Sequence, residues 1–116
     1  MRDNIDPNMI QMSLHFLYIG KYHISLHGKR RSIELLQNLL AHKDGIYHAD
    51  LRECMFGRTS KNKRILRTQD CTLRKLITRT RTMLTSALAQ TEWTDGVQWL
   101  VYRDRDESWK LFHLPT

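Results

Sequence analysis

The spacing of apolar and polar positions changes several times along the chain, and each change marks an element. In residues 12–27 aromatic and β-branched side chains are frequent, and Tyr22, Ile24 and Leu26 alternate with His23, Ser25 and His27. A period of two sends successive side chains to opposite faces of a strand. Two short strands are therefore predicted, joined at Gly20-Lys21, the second with one wet face. Gly28 ends the strand, and Lys29, Arg30 and Arg31 lead into a segment of different period. Over residues 32–42, Ile33, Leu36 and Leu40 form one row and Leu35 with Leu39 the next, the signature of an amphipathic helix. Ser32 is placed to cap it, and Asp44-Gly45 to stop it.

Ile46 and Tyr47 read as a short extended link before a second helix over residues 48–56, with Leu51, Cys54, Met55 and Phe56 as its apolar side and Gly57 as its end. Residues 58–67 read as a polar basic loop in which Ile65 and Leu66 pin the chain to the core. A third helix follows, capped by Thr68 or Asp70 and running to about residue 88. At about 100° per residue, Leu73, Leu76, Ile77, Thr80 and Leu84 share one side, while Arg74, Lys75, Thr78, Arg79 and Arg81 fan over the other. Beyond a polar connector at 90–96, residues 97–102 and 109–114 have the aromatic and β-branched content of a hairpin around the charged turn 103–108.

Charge sharpens the picture because it is local. The chain of 116 residues carries a net +7. Between residues 58 and 81 stand Arg58, Lys61, Lys63, Arg64, Arg67, Arg74, Lys75, Arg79 and Arg81 against the single acid Asp70, while the rest of the chain is close to neutral. A patch of one sign concentrates a polyanion at one surface. The hairpin turn differs, since Arg103 and Arg105 are mixed there with Asp104, Asp106 and Glu107. Trp93, Trp99 and Trp109 read as core or sheet-packing residues, with a dimer contact as the role for any exposed one.

The remaining composition is mostly exclusions. No apolar run has the length of a membrane span. Residues 1–8 hold both charge signs and a proline, read as a frayed end within a flexible stretch 1–11, and resemble neither a signal nor a transit peptide. That and the low cysteine count point to the cytoplasm. Cys54 and Cys71, seventeen residues apart, read as buried or half-buried thiols, and the scattered histidines supply no zinc site. No Ser/His/Asp or Cys/His set and no phosphate loop is visible, so catalysis, cofactor and metal are not expected.

The predicted order β-β-α-α-loop-α-β-β is that of a winged helix-turn-helix: a single α+β domain over 1–116, a three-helix core with an N-terminal β-hairpin and a C-terminal β-hairpin wing. The stretches 32–42 (Ser-Ile-Glu-Leu-Leu-Gln-Asn-Leu-Leu-Ala-His), 45–57 with its closing Met-Phe-Gly, and 73–84 (Leu-Arg-Lys-Leu-Ile-Thr-Arg-Thr-Arg-Thr-Met-Leu) resemble the effector domain of OmpR/PhoB-type transcription regulators. That family has four N-terminal strands where two are read here, and a Gly-Tyr pair in the final hairpin where Trp109 stands. The resemblance implies a bacterial or phage-encoded, nucleoid-associated regulator of transcription. Helix 70–88 would lie in the major groove of double-stranded DNA with Arg74, Thr78, Arg79 and Arg81 facing base edges. Lys75 belongs to the same face, and Arg103 and Arg105 to the wing. Arg58, Lys61, Lys63, Arg64 and Arg67 would form a phosphate-binding loop that in some relatives touches RNA polymerase. Pairing on repeated half-sites, as a homodimer on DNA, is a further implication. The alternative is a winged-helix interaction module, an adaptor or inhibitor of a transcription or phage-defence component with only nonspecific DNA affinity, motivated by the acidic wing and the tryptophans. RNA binding through the basic helix is disfavoured, because residues 57–92 contain no aromatic residue to act as a stacking platform.

Overall fold

The computed structural model describes residues 9–57, 62–89, 91 and 97–113. The first sheet holds one strand more than the two expected. Strands β1 (Ile10–Ser13), β2 (Phe16–Ile19) and β3 (Tyr22–Ser25) pair antiparallel in that order. The extra turn falls at Leu14-His15, where Leu14 adopts φ 51°. It was hidden because neither residue is one of the usual turn formers. Gly20, at φ 60°, makes the expected second turn with the conformational freedom that position needs. Ile10, Leu17, Ile19 and Ile24 point inward and are buried.

Helix α1 (Arg30–Ala41) begins two residues before Ser32. Lys29 takes the N-cap position without a side-chain bond, and Ser32 is instead buried inside the helix. Leu35, Leu36 and Leu39 are fully buried, which confirms the expected apolar rows. The short link is strand β4 (Ile46–Tyr47), and α2 (His48–Phe56) follows with the expected bounds. Gly57, at φ 90°, closes α2 with its N–H on the Glu53 carbonyl at 2.7 Å.

Helix α3 (Lys63–Ala87) departs most from expectation, starting some five residues early. Its cap is Asn62, whose Oδ1 accepts from the Arg64 N–H at 2.9 Å, and neither Thr68 nor Asp70 serves. Once nucleated there, the run Lys63, Arg64, Ile65, Leu66 and Arg67 propagates the helix readily, being rich in good helix formers. Ile65 remains exposed and only Leu66 is half-buried, so the expected pin is partial.

Strands β5 (Gln98–Arg103) and β6 (Ser108–His113) form the expected final hairpin. β4 adds to it, pairing Ile46 with Trp109 and Tyr47 with Ser108, so the second sheet runs β4-β6-β5. Among the described residues the architecture is mixed α+β, with three helices and two small antiparallel sheets sharing one hydrophobic core. Trp99 and Trp109 are both buried in it, and Trp93 lies outside the described residues. Both cysteines are exposed rather than buried. Cys71 falls on the side of α3 opposite Leu73 and Ile77, and Cys54 stands at the edge of the buried row of α2, about 60° round the helix from Leu51. Among the described residues no helix is long and apolar enough to cross a membrane, and no cluster of His, Cys, Asp or Glu is arranged to hold a metal ion.

Candidate nucleic-acid interface

One side of α3 is fixed by packing. Leu73, Ile77, Thr80 and Leu84 are buried as the periodicity requires, with Leu76 half-buried beside them. The buried Thr80 hydroxyl meets the buried Ser32 hydroxyl of α1 at 3.0 Å. Two hydroxyls taken from water are each costly alone and are satisfied together, so the contact also sets the register of α1 against α3.

The opposite side is open and basic. Arg64, Arg67, Cys71, Lys75, Thr78 and Thr82 cluster about the direction facing away from Leu73 and Leu84, and all are exposed. The early start of α3 makes Arg64 and Arg67 part of the same helical surface as Lys75, rather than members of a separate loop. Lys63, in the first turn, is also exposed, whereas Arg58 and Lys61 lie outside the described residues. A hollow of about 520 Å³ runs along this flank, lined by Arg64, Arg67, Thr68, Cys71, Thr72 and Lys75. The Thr78 hydroxyl donates back to the Arg74 carbonyl at 3.0 Å, which leaves it free only to accept from a ligand.

Arg74 and Arg79 flank this face. The Arg74 guanidinium stands over the Tyr102 ring of β5 at 5.9 Å. Arg79 and Lys75 line a cleft of about 320 Å³ with Thr72, Leu76, Phe56 and Arg31. Arg31 is itself held by Glu34 at 3.0 Å, by the Met55 carbonyl at 2.9 Å and over the Phe56 ring at 5.5 Å. Arg81 is placed differently from expectation. It is half-buried, with Nε donating to the Trp99 carbonyl at 3.1 Å and a terminal nitrogen to the Leu100 carbonyl at 2.6 Å. Leu100 adopts φ 55°, a strained value for a leucine, and its cross-strand pairing is interrupted there. Arg81 satisfies the carbonyls at that break.

Asp70, the lone acid of the basic segment, faces inward. Its Oδ1 receives Arg52 at 2.9 Å and His48 Nε2 at 2.8 Å. Trp109 Nε1 lies 3.0 Å from His48 Nδ1. An indole N–H can only donate, so Nδ1 accepts and the imidazole proton sits on Nε2, directed at the carboxylate. The chain Trp109–His48–Asp70–Arg52 thereby joins β6, α2 and α3. Burial alone would raise the Asp70 carboxyl, but the His48 and Arg52 hydrogen bonds and the nearby Arg52 charge hold it below its ordinary value. Nothing in the sequence assigned Asp70 this role, although its isolation among nine cations was a signal that it had a private partner.

The hairpin tip offers less free charge. Arg103 grips both carboxylate oxygens of Asp106 at 2.9 and 2.7 Å, and Ser108 donates to the same carboxylate at 2.7 Å. The Arg103 hydrogen bond, with the Ser108 hydrogen bond next, lowers the Asp106 carboxyl and keeps it ionised. Arg105 is exposed. No family model, no curated protein and no solved structure matches the chain.

Chemically, the outward face of α3 is an array of guanidinium and ammonium groups on one rigid cylinder. An α-helix with its side chains is about 10–12 Å across, close to the width of a B-DNA major groove. The arginine fork matches both phosphate and the paired acceptors of guanine.

Proposed function

We propose that this chain is a winged-helix regulator of transcription that binds double-stranded DNA sequence-specifically, with α3 as the recognition helix and the β5–β6 hairpin as the wing. The observation that carries this is the outward face of α3, where Arg64, Arg67, Lys75 and Arg79 are exposed over more than four turns with no acid among them. The one acid of the segment is turned inward and paired with Arg52 and His48. The far side of α3 is clamped by apolar packing, by Ser32–Thr80 and by Arg81, which keeps the presented groups at fixed spacing. Rigid placement is what base readout requires, whereas phosphate attraction alone does not.

In this arrangement Arg74 and Arg79 read bases, while Lys63, Arg64 and Arg67 hold phosphates. The interaction-module alternative draws on the hairpin tip, where Asp106 neutralises Arg103. The test is selection of bound duplexes from a random pool at two salt concentrations, followed by sequencing. A motif that survives the higher salt is the expected result. Salt-sensitive binding without enrichment would overturn sequence specificity and favour the interaction module.

A further inference from the structure

The sheet β1-β2-β3 turns an aromatic face outward, on elements that do not include the basic helix. Strand pairing aligns its side chains in two rows: Gln11, Tyr18 and His23 in one, Ser13, Phe16 and Ser25 in the other. All six are exposed, and Phe16 and Tyr18 keep 38% and 40% of their surface in solvent. The ring centroids of Phe16, Tyr18 and His23 form a near-equilateral triangle with sides of 6.2, 5.9 and 6.3 Å. Each large ring is thus flanked across the strands by neutral groups that can donate and accept hydrogen bonds.

Charge and size identify the occupant. Residues 9–29 contain Lys21 and Lys29 and not one aspartate or glutamate, whereas Arg30 and Arg31 beyond them are engaged by Glu34 at 3.5 and 3.0 Å. Three strands of four residues cover a flat footprint of roughly 150 Å², far below the roughly 800 Å² per partner of a stable protein interface. A pair of unpaired bases fits such a platform, since every base has a face to stack, and a sheet without a single carboxylate does not repel their phosphates. The hydroxyls of Ser13 and Ser25 and the amide of Gln11 add partners for base edges and for a ribose 2′-hydroxyl, which only RNA carries.

We propose that this sheet face is a stacking platform for single-stranded RNA, with Phe16 and Tyr18 each stacking a base. It is independent of the α3 surface, and the aromatic residues missing from the basic helix are supplied here instead.

The test is fluorescence anisotropy with a labelled ten-nucleotide mixed-sequence RNA, the same sequence as single-stranded DNA, and a duplex DNA. The RNA is expected to bind more tightly than the single-stranded DNA. Phe16→Ala and Tyr18→Ala should each weaken RNA binding by about tenfold and leave duplex binding unchanged. Ser25→Glu, which keeps both rings but introduces an acid, should weaken RNA binding as well, while Arg79→Ala should not. All these positions are exposed, so the variants keep the wild-type unfolding midpoint within a few degrees. RNA affinity unchanged in both ring variants, or equal affinity for the single-stranded DNA, would overturn the proposal. So would a wild-type dimer in sedimentation that Phe16→Ala converts to monomer, because the occupant would then be a second copy of the chain.

Discussion

On the outward face of α3, Arg64, Arg67, Lys75 and Arg79 stand in solvent with no carboxylate among them. Along the seam that α3 forms with α2 and the hairpin, Arg52 and Arg81 have the same charge and a different employment: one holds Asp70, the other two backbone carbonyls. Arg79 and Arg81 are only two residues apart. A separation of about 200° around the helix is enough to put one in water and the other against β5. Local net charge therefore overstates the free positive surface, and the partner atoms decide which cations remain for a ligand.

The largest expected effect lies on the seam. Arg81→Ala should lower stability by about 2–4 kcal/mol in urea unfolding, because the Trp99 and Leu100 carbonyls lose their donor beside a strained backbone. Arg79→Ala should leave stability within about 0.5 kcal/mol and instead weaken duplex binding by about tenfold with relaxed preference at one position. Lys63→Ala should weaken all duplexes alike and flatten the salt dependence by about one ion. If Arg81→Ala were as stable as wild type, the division between seam and face would fail.

A smaller effect tests the inward acid. Asp70→Asn should cost about 1 kcal/mol at neutral pH through a weakened bond network. The folded-state carboxyl lies below its ordinary value of 3.8, so its contribution is fully present above that pH and is lost as pH falls through the folded value. The stability gap between wild type and Asp70→Asn should accordingly close in acid, as followed by urea midpoints between pH 7 and pH 2. A gap that stays constant would show that the charge of Asp70 contributes nothing.

The smallest effect concerns the hairpin. Asp106→Asn should release Arg103 and strengthen duplex binding by about twofold at low salt. Unchanged affinity would mean that the hairpin tip does not approach DNA.

Much of the fold was legible in the sequence because burial imposes period. Leu35, Leu36 and Leu39 in α1 and Leu73, Ile77 and Leu84 in α3 stand where helical spacing puts them, and α2 has its expected bounds. What escaped were features decided by single polar contacts or by backbone conformation. Leu14 makes a turn without a turn residue, and Asn62 caps a helix whose first turn looked like a charged loop. Ser32 has the side chain of a cap but is a buried partner of Thr80, a contact between residues 48 apart that no local pattern encodes. For the candidate site, the sequence located the basic helix face but could not separate Arg81 from its neighbours. Its place depends on carbonyls in a strand that lies beyond the end of the helix. The exposed rings of Phe16 and Tyr18 were equally hidden, because an aromatic residue in a strand is as suited to the core as to the surface.

The most direct measurement is the salt dependence of duplex binding by anisotropy for the wild type and for a variant with Arg64, Arg67, Lys75 and Arg79 all changed to alanine. Each cation withdrawn from a phosphate should lower the slope of log K against log salt by about 0.9, so with Arg79 at a base edge a fall of about 2 to 3 is expected if the outward face of α3 meets DNA. An unchanged slope, in a variant that unfolds at the wild-type urea midpoint, would contradict that assignment.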